Sequence, residues 1–220
     1  MRDFFDWLLH LIYPPKCVFC GRLIPGLLPD CCDRCIQDLP EYDDAERKVT
    51  YFDRTAAVFF YEEPVRNAVL SYKFHGTHSY ARIFARWMAT LVRDKLGTEF
   101  DLITWVPCSR QRKWKRSYDQ AELLSKELGR ELGIQVRRTL KKVRNNPPQS
   151  GISGAAQRKA NVIGAYVPFE PEHVQGKRIL VIDDVLTTGA TMSECGKVLR
   201  MAGAETLACA ALAAVREEKE

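Results

Sequence analysis

Ile179-Leu180-Val181-Ile182-Asp183-Asp184-Val185-Leu186-Thr187-Thr188-Gly189-Ala190-Thr191 decides the fold of this 220-residue chain. Arg178 to Ile182 is a continuous apolar run, the kind buried on both faces of a parallel sheet. Two carboxylates end it, a hydroxyl-rich turn with one glycine follows, and a helix is predicted from about Ala190 to Ala202. Thr206 to Val215 reads as the next strand, which completes a βαβ unit. The prediction is an open α/β sheet with helices on both faces.

Each part of the stretch has a chemical use. Unpaired backbone N–H groups at a helix N-terminus attract an anion, helped by the helix dipole. Gly189 lets the backbone curl around a phosphate at the Thr188-Gly189-Ala190 turn, while Thr187, Thr188 and Thr191 add hydroxyl donors. Asp183 and Asp184 would repel a second phosphate but suit vicinal hydroxyls, such as those of a ribose. Together these features describe a 5-phosphoribosyl site at the carboxyl edge of a sheet. The pattern lacks the second glycine and lysine of a Walker A loop. A plain strand–turn–helix junction is the alternative.

Working outward, Thr55 to Tyr61 and Leu102 to Val106 read as strands. Ile83, Phe84, Trp87, Met88, Leu91 and Val92 share one helical stripe that ends at Gly97. A helix is predicted from about Tyr118 to Leu132, with Ser117 and Gln120 at capping-box spacing and Gly133 closing it. A basic loop precedes it. Residues 110–144 hold twelve Lys or Arg against four Asp or Glu, which points to an anionic partner. Asn145 to Gly164 is rich in Asn, Pro, Ser and Gly and resists regular structure.

At the other end, Phe4, Phe5, Leu8, Leu9 and Ile12 predict a short amphipathic helix, and Glu41 to Lys48 reads as an acidic linker. Five of eight cysteines lie between Cys17 and Cys35. Cys17-x₂-Cys20 and Cys32-x₂-Cys35 each place two thiolates on a tight turn, enough for a closed, structural Cys₄ zinc site. Cys31 competes with Cys32, but only Cys32 keeps the spacing; redox chemistry is the alternative use of these pairs. Cys108, Cys195 and Cys209 read as small core residues. No apolar run is long enough to span a bilayer and no signal peptide is evident, so a cytoplasmic protein is expected.

The stretch at Asp183 to Thr191 resembles the diphosphoribose-binding signature of type I phosphoribosyltransferases. The cysteine pairs, Tyr72-Lys73-Phe74-His75-Gly76, Arg116-Ser117-Tyr118-Asp119-Gln120-Ala121, and Arg158-x-x-Asn161 with Gly164 are together similar to the ComF family. The likeness runs from about Pro14 to Val215. It implies a Cys₄ zinc-ribbon-like module over residues 1–45 and a phosphoribosyltransferase-like open, mostly parallel sheet over residues 46–220. It also implies 5-phosphoribosyl-1-diphosphate or a nucleotide 5-phosphate as ligand, Mg²⁺ with the diphosphate, and a part in DNA uptake beside competence proteins. By position Pro107 to Ser117 corresponds to the diphosphate loop, with Arg116 as its foremost ligand and Lys73 reaching the same anion. Arg144 to Asn161 would be a hood closing over substrate.

Two departures stand out. The family's R-G-F-N-Q reads Arg116-Ser117-Tyr118-Asp119-Gln120, and its G-A-F reads Gly164-Ala165-Tyr166. Ser117 narrows the backbone options, and Asp119 is expected to add a charge where diphosphate would sit. A non-catalytic reading uses the same fold to sense a nucleotide or handle single-stranded DNA, with Trp114 as the exposed aromatic and Trp105 in the core.

Overall fold

The computed structural model describes residues 16–24, 30–43, 47–74, 76–144 and 162–216. The expected N-terminal helix, His75, Arg158 and most of the hood segment lie outside them. Four strands, β1 (Arg54–Phe60), β2 (Leu102–Trp105), β5 (Arg178–Leu186) and β6 (Thr206–Ala214), form one parallel sheet in the order β1-β6-β5-β2. Two short strands, β3 (Leu140–Lys142) and β4 (Tyr166–Pro168), pair antiparallel apart from it.

Alternate residues of the central strands feed opposite cores, as the pleat requires. Leu180, Ile182, Ala208, Ala210 and Leu212 pack with Phe84, Met88, Leu124 and Leu128 of helices α3 (Tyr80–Leu91) and α5 (Gln120–Leu132). Ile179, Val181, Leu207, Cys209 and Ala211 pack with Met192, Cys195 and Leu199 of helix α6 (Ala190–Met201) and with Leu140 and Tyr166. Cys195 and Cys209 are therefore core residues, as read. Burying both faces is why the sequence shows continuous apolar runs rather than alternation.

Three local readings change. Strand β5 does not end at Ile182: it continues through the carboxylates, with Asp183 opposite Ala211 and Val185 opposite Ala213. The supposed basic loop holds helix α4 (Arg110–Arg116), started by Ser109, whose Oγ accepts the Arg112 N–H at 3.4 Å. Seven residues with no apolar stripe give periodicity nothing to detect. Ser117, expected to cap α5, instead closes α4 with a φ of 67°, and Asp119 is the N-cap of α5.

The cysteine segment joins the first core directly. Cys17, Val18, Phe19, Ile24, Cys31 and Cys35 pack with Phe59, Phe84 and Met88, and the Phe19 ring meets Phe59 and Trp87 edge-on, each at 5.9 Å. Asp30 forms an ion pair with Arg86 of α3. Described residues at both ends of the stretch read as a linker are likewise held. Phe60 N–H donates to the Pro40 carbonyl and Tyr42 N–H to the Val58 carbonyl, and Arg47 is buried.

Candidate functional site

The carboxyl ends of β2 and β5 open into a cavity of about 290 Å³. Asp183, Asp184, Thr187, Gly189 and Thr191 line it from β5 and the following turn, Lys73 from helix α2 (Val65–Phe74), and Arg112 and Arg116 from α4. Seven of the residues read as a phosphoribosyl site thus converge on one space. Thr188, which is exposed, and Ala190 do not line it.

The turn has the shape an anion needs. Gly189 is the N-cap of α6 at φ 75°, a left-handed conformation that a side chain would strain. Its carbonyl already accepts the Ser193 N–H at 2.7 Å, while the first amides of the 12-residue helix face outward. Behind the turn, buried Arg47 donates to the Thr187 carbonyl and, at 2.7 Å, to the Val215 carbonyl. Arg47 thereby fixes the turn to the end of β6. No motif in the sequence signalled that role, because the two carbonyls come from segments 140 and 168 residues away.

The acidic pair is not an open pair of carboxylates. Asp183 accepts the Asp184 N–H at 2.8 Å, and Lys73 Nζ lies 2.8 Å from Asp184 Oδ1. Burial, and then the neighbouring Asp184 charge, push the Asp183 carboxyl well above its ordinary range. Lys73 reaches Asp184 because α2 is pinned to α5: Tyr72 OH donates to the Gln120 carbonyl at 2.8 Å, and Tyr118 OH donates to the Tyr72 carbonyl. Tyr118 also packs edge-on against the His78 ring, 4.0 Å between centroids, so it is a packed side chain rather than an open stacking platform.

On the opposite wall, Arg116 donates to Gln120 Oε1 at 2.9 Å and lies over the Phe74 ring at 4.7 Å. Lys113 turns away to Glu122 at 2.8 Å, and Arg110 is exposed. Asp119 lines the cavity, but its carboxyl is tied to the backbone rather than open. It is buried, its oxygens accept the Cys108 and Glu122 N–H groups at 2.8 and 3.3 Å, and burial raises its pKa. Ser117 takes a left-handed backbone, the conformation a glycine adopts without strain. Cys108 lines the cavity, but burial and then the Asp119 charge push its thiol up to about 12, which leaves it protonated.

One cavity residue escaped the sequence reading. Lys142 of β3 lines the roof with Tyr166 of β4, its Nζ 5.1 Å from that ring's centroid. Burial, followed by the charge of Arg112, lowers its pKa. Among the described residues it makes no ion pair, and residues 145–161, which follow in sequence, contain no Asp or Glu. In sequence it is one lysine in a basic run; only the β3–β4 pairing turns it toward the site.

Elsewhere, Cys17, Cys20, Cys32 and Cys35 gather with all four Sγ atoms within 4.8 Å of one another. Cys20 Sγ and Cys32 Sγ are 3.7 Å apart, close to the ~3.8 Å edge of a tetrahedron with Zn–S bonds of about 2.3 Å. The donor set fits a closed four-thiolate metal site. Cys31 is outside it, donating to the Cys32 carbonyl at 3.4 Å. Among the described residues this is the one cluster of three or more metal-ligating side chains; of the Asp183–Asp184 pair, Asp184 is held by Lys73.

Residues 115–220 match the family described as Phosphoribosyl transferase domain. Competence protein F of Haemophilus influenzae is 30% identical over 199 residues, covering 88% of this chain and 82% of that protein. The DNA utilization protein YhgH of Salmonella typhimurium is 31% identical over 197 residues, covering 87% and 80%. Among solved structures, the glutamine phosphoribosylpyrophosphate amidotransferase of B. subtilis, complexed with ADP and GMP, is 21% identical with a TM-score of 0.45, over 66% of this chain and 30% of that one. No helix among the described residues is long and apolar enough to cross a membrane.

Proposed function

Because the chain belongs to the competence protein F family, we propose that it binds 5-phosphoribosyl-1-diphosphate in the β2–β5 cavity and acts in DNA uptake and use. The observation that carries the reading is the convergence of two carboxylates, a phosphate-shaped turn and several cations on one cavity. In this reading the turn at Thr187 to Thr191 takes the 5-phosphate on its amides and hydroxyls. Asp183 and Asp184 take the 2- and 3-hydroxyls of the ribose. Arg112, Arg116 and Lys142 face the diphosphate, where fixed cations stabilise the charge that develops on a leaving group. Mg²⁺ would enter with the diphosphate rather than wait on the protein. Zn²⁺ is the metal proposed for the four thiolates, as a structural ion. Calorimetric titration with the diphosphoribose tests the reading, and heat indistinguishable from buffer at millimolar ligand would end it.

Lys142 gives the proposal an internal check. A half-buried cation that makes no ion pair among the described residues, although the Asp183 charge acts on it, is placed to take further counter-charge from a ligand. Lys142→Met is expected to weaken binding of the diphosphoribose by about tenfold or more, since hydrogen bonds to charged groups contribute roughly 1.5–3 kcal/mol. Ribose 5-phosphate, which lacks the diphosphate, should bind the variant as it binds the parent. Equal affinity of variant and parent for the diphosphoribose would remove Lys142 from the site.

A second reading rests on a separate observation. Trp114 is 87% exposed in helix α4 among Arg110, Arg112, Lys113 and Arg116. An exposed indole among cations is the arrangement that stacks single-stranded bases. Quenching of Trp114 fluorescence by an oligothymidylate, steeply weakened by salt and lost in Trp114→Ala with Trp105 retained, is the expected result. A salt-independent response would discard it. Trp105 is core, as read.

A further inference from the structure

The ion pair between α2 and β5 has a consequence for how the ribose subsite is neutralised. Lys73 Nζ and Asp184 Oδ1 stand 2.8 Å apart, with only 16% and 14% of the two side chains exposed. Both line the cavity. The lysine is held there by its neighbour in sequence, since Tyr72 is fully buried, its hydroxyl donating to Gln120 at the start of α5 and its carbonyl accepting from Tyr118 just before that helix. Asp183 has one oxygen committed to the Asp184 amide. A divalent cation seeking two open carboxylates would meet an ammonium already in place, and like charges at this range repel strongly in a partly buried site.

An ammonium–carboxylate pair is itself a good receptor for a hydroxyl. The carboxylate accepts the hydroxyl proton, while a lysine N–H not aimed at Asp184 donates to the hydroxyl oxygen. The pair carries no net charge, so it does not repel the phosphates bound at either side of the sugar.

We infer that Lys73 is the resident counter-cation of the ribose subsite, and that the sugar's vicinal hydroxyls are held there by Lys73 and Asp184 without a divalent metal. This rests on the phosphoribosyl reading of the cavity and goes beyond it, because it assigns Mg²⁺ to the diphosphate alone. Ribose 5-phosphate, which has the hydroxyls and no diphosphate, separates the two cation roles.

The full-length protein would be titrated calorimetrically with ribose 5-phosphate, in EDTA and in excess Mg²⁺, beside Lys73→Met and Lys73→Arg. The parent is expected to bind equally, within about twofold, in both buffers, the scatter allowed for one unaltered contact. Lys73→Met should lose about tenfold in EDTA and recover part of it with Mg²⁺, because the freed carboxylates can then accept the cation. Lys73→Arg keeps the charge and should remain indifferent to Mg²⁺, which also controls for folding. Binding by the parent that requires Mg²⁺, or a Lys73→Met variant that matches it in EDTA, overturns the inference while leaving the phosphoribosyl reading intact. Failure of the parent to bind either ribose 5-phosphate or the diphosphoribose overturns both.

Discussion

Asp183→Ala/Asp184→Ala is expected to bind 5-phosphoribosyl-1-diphosphate more than about a hundredfold more weakly than the parent. In the proposed pose both side chains hold a sugar hydroxyl; the bond to Asp184, ion-paired with Lys73, contributes roughly 1.5–3 kcal/mol and the one to Asp183, whose carboxyl is held well above its ordinary range, roughly 0.5–1.5 kcal/mol, so losing both reaches about that factor. The loss should be specific to the sugar. In the proposed pose inorganic phosphate would be held by the Gly189 turn and the first amides of α6, which the substitutions leave in place, so its affinity should change little. Removing Asp184 also strands Lys73, whose partner it is, and a partly buried cation without a counter-charge is destabilising. Asp183→Asn/Asp184→Asn keeps the side-chain volume and guards against reading misfolding as lost affinity. Calorimetry on both variants, after confirming a cooperative thermal transition, gives the answer. Undiminished binding by a folded double variant would move the ribose elsewhere.

Cys20→Ser should release the metal of the cysteine cluster and lower the stability of the whole chain. Cys20 is the exposed member of the four, so the change removes a ligand without opening a hole in the core. Its loss is expected to propagate, because Cys17, Phe19 and Cys35 of the same segment pack against Phe59 of β1 and Phe84 and Met88 of α3. A cost of ~3–5 kcal/mol would lower Tm by on the order of 10 °C for a chain of this size. One zinc per parent chain by elemental analysis, none in the variant, and a matching drop in Tm on chelation are the expected observations. A Cys20→Ser protein that retains its full metal content and Tm would show that the cluster is not a closed four-thiolate site.

Much of the fold was legible because its signals are local. The runs at Leu102, Arg178 and Thr206 are mostly apolar, as strands covered on both faces require, and each became a strand of the parallel sheet. The stripe from Ile83 to Leu91 became α3, with Val92 in the helical turn Val92–Leu96 that ends at Gly97, for the same kind of reason. Two cysteine pairs at x₂ spacing became one cluster because local backbone brings each pair together: a turn joins Cys17 to Cys20, and Cys32 caps the short helix Asp33–Gln37 that carries Cys35. Where the signal was weak, the reading failed. Helix α4 has no apolar stripe, and Ser117 and Asp119 compete for a cap at two residues' distance, a choice settled when Asp119 reached the Cys108 amide from its buried position.

By itself, then, the sequence determined the parallel α/β architecture, the thiolate cluster and the strand–turn–helix that shapes the candidate phosphate site. These depend on residues near one another in the chain, whose geometry follows from backbone sterics and periodicity. Only the tertiary structure decided which charges share the cavity. It paired Lys73 with Asp184, brought Lys142 to the roof, turned Lys113 outward and set Arg47 behind the Thr187 turn. The physical reason is range: these partners lie 9 to 140 residues apart, and a long side chain carries no mark in the sequence of the partner it will meet.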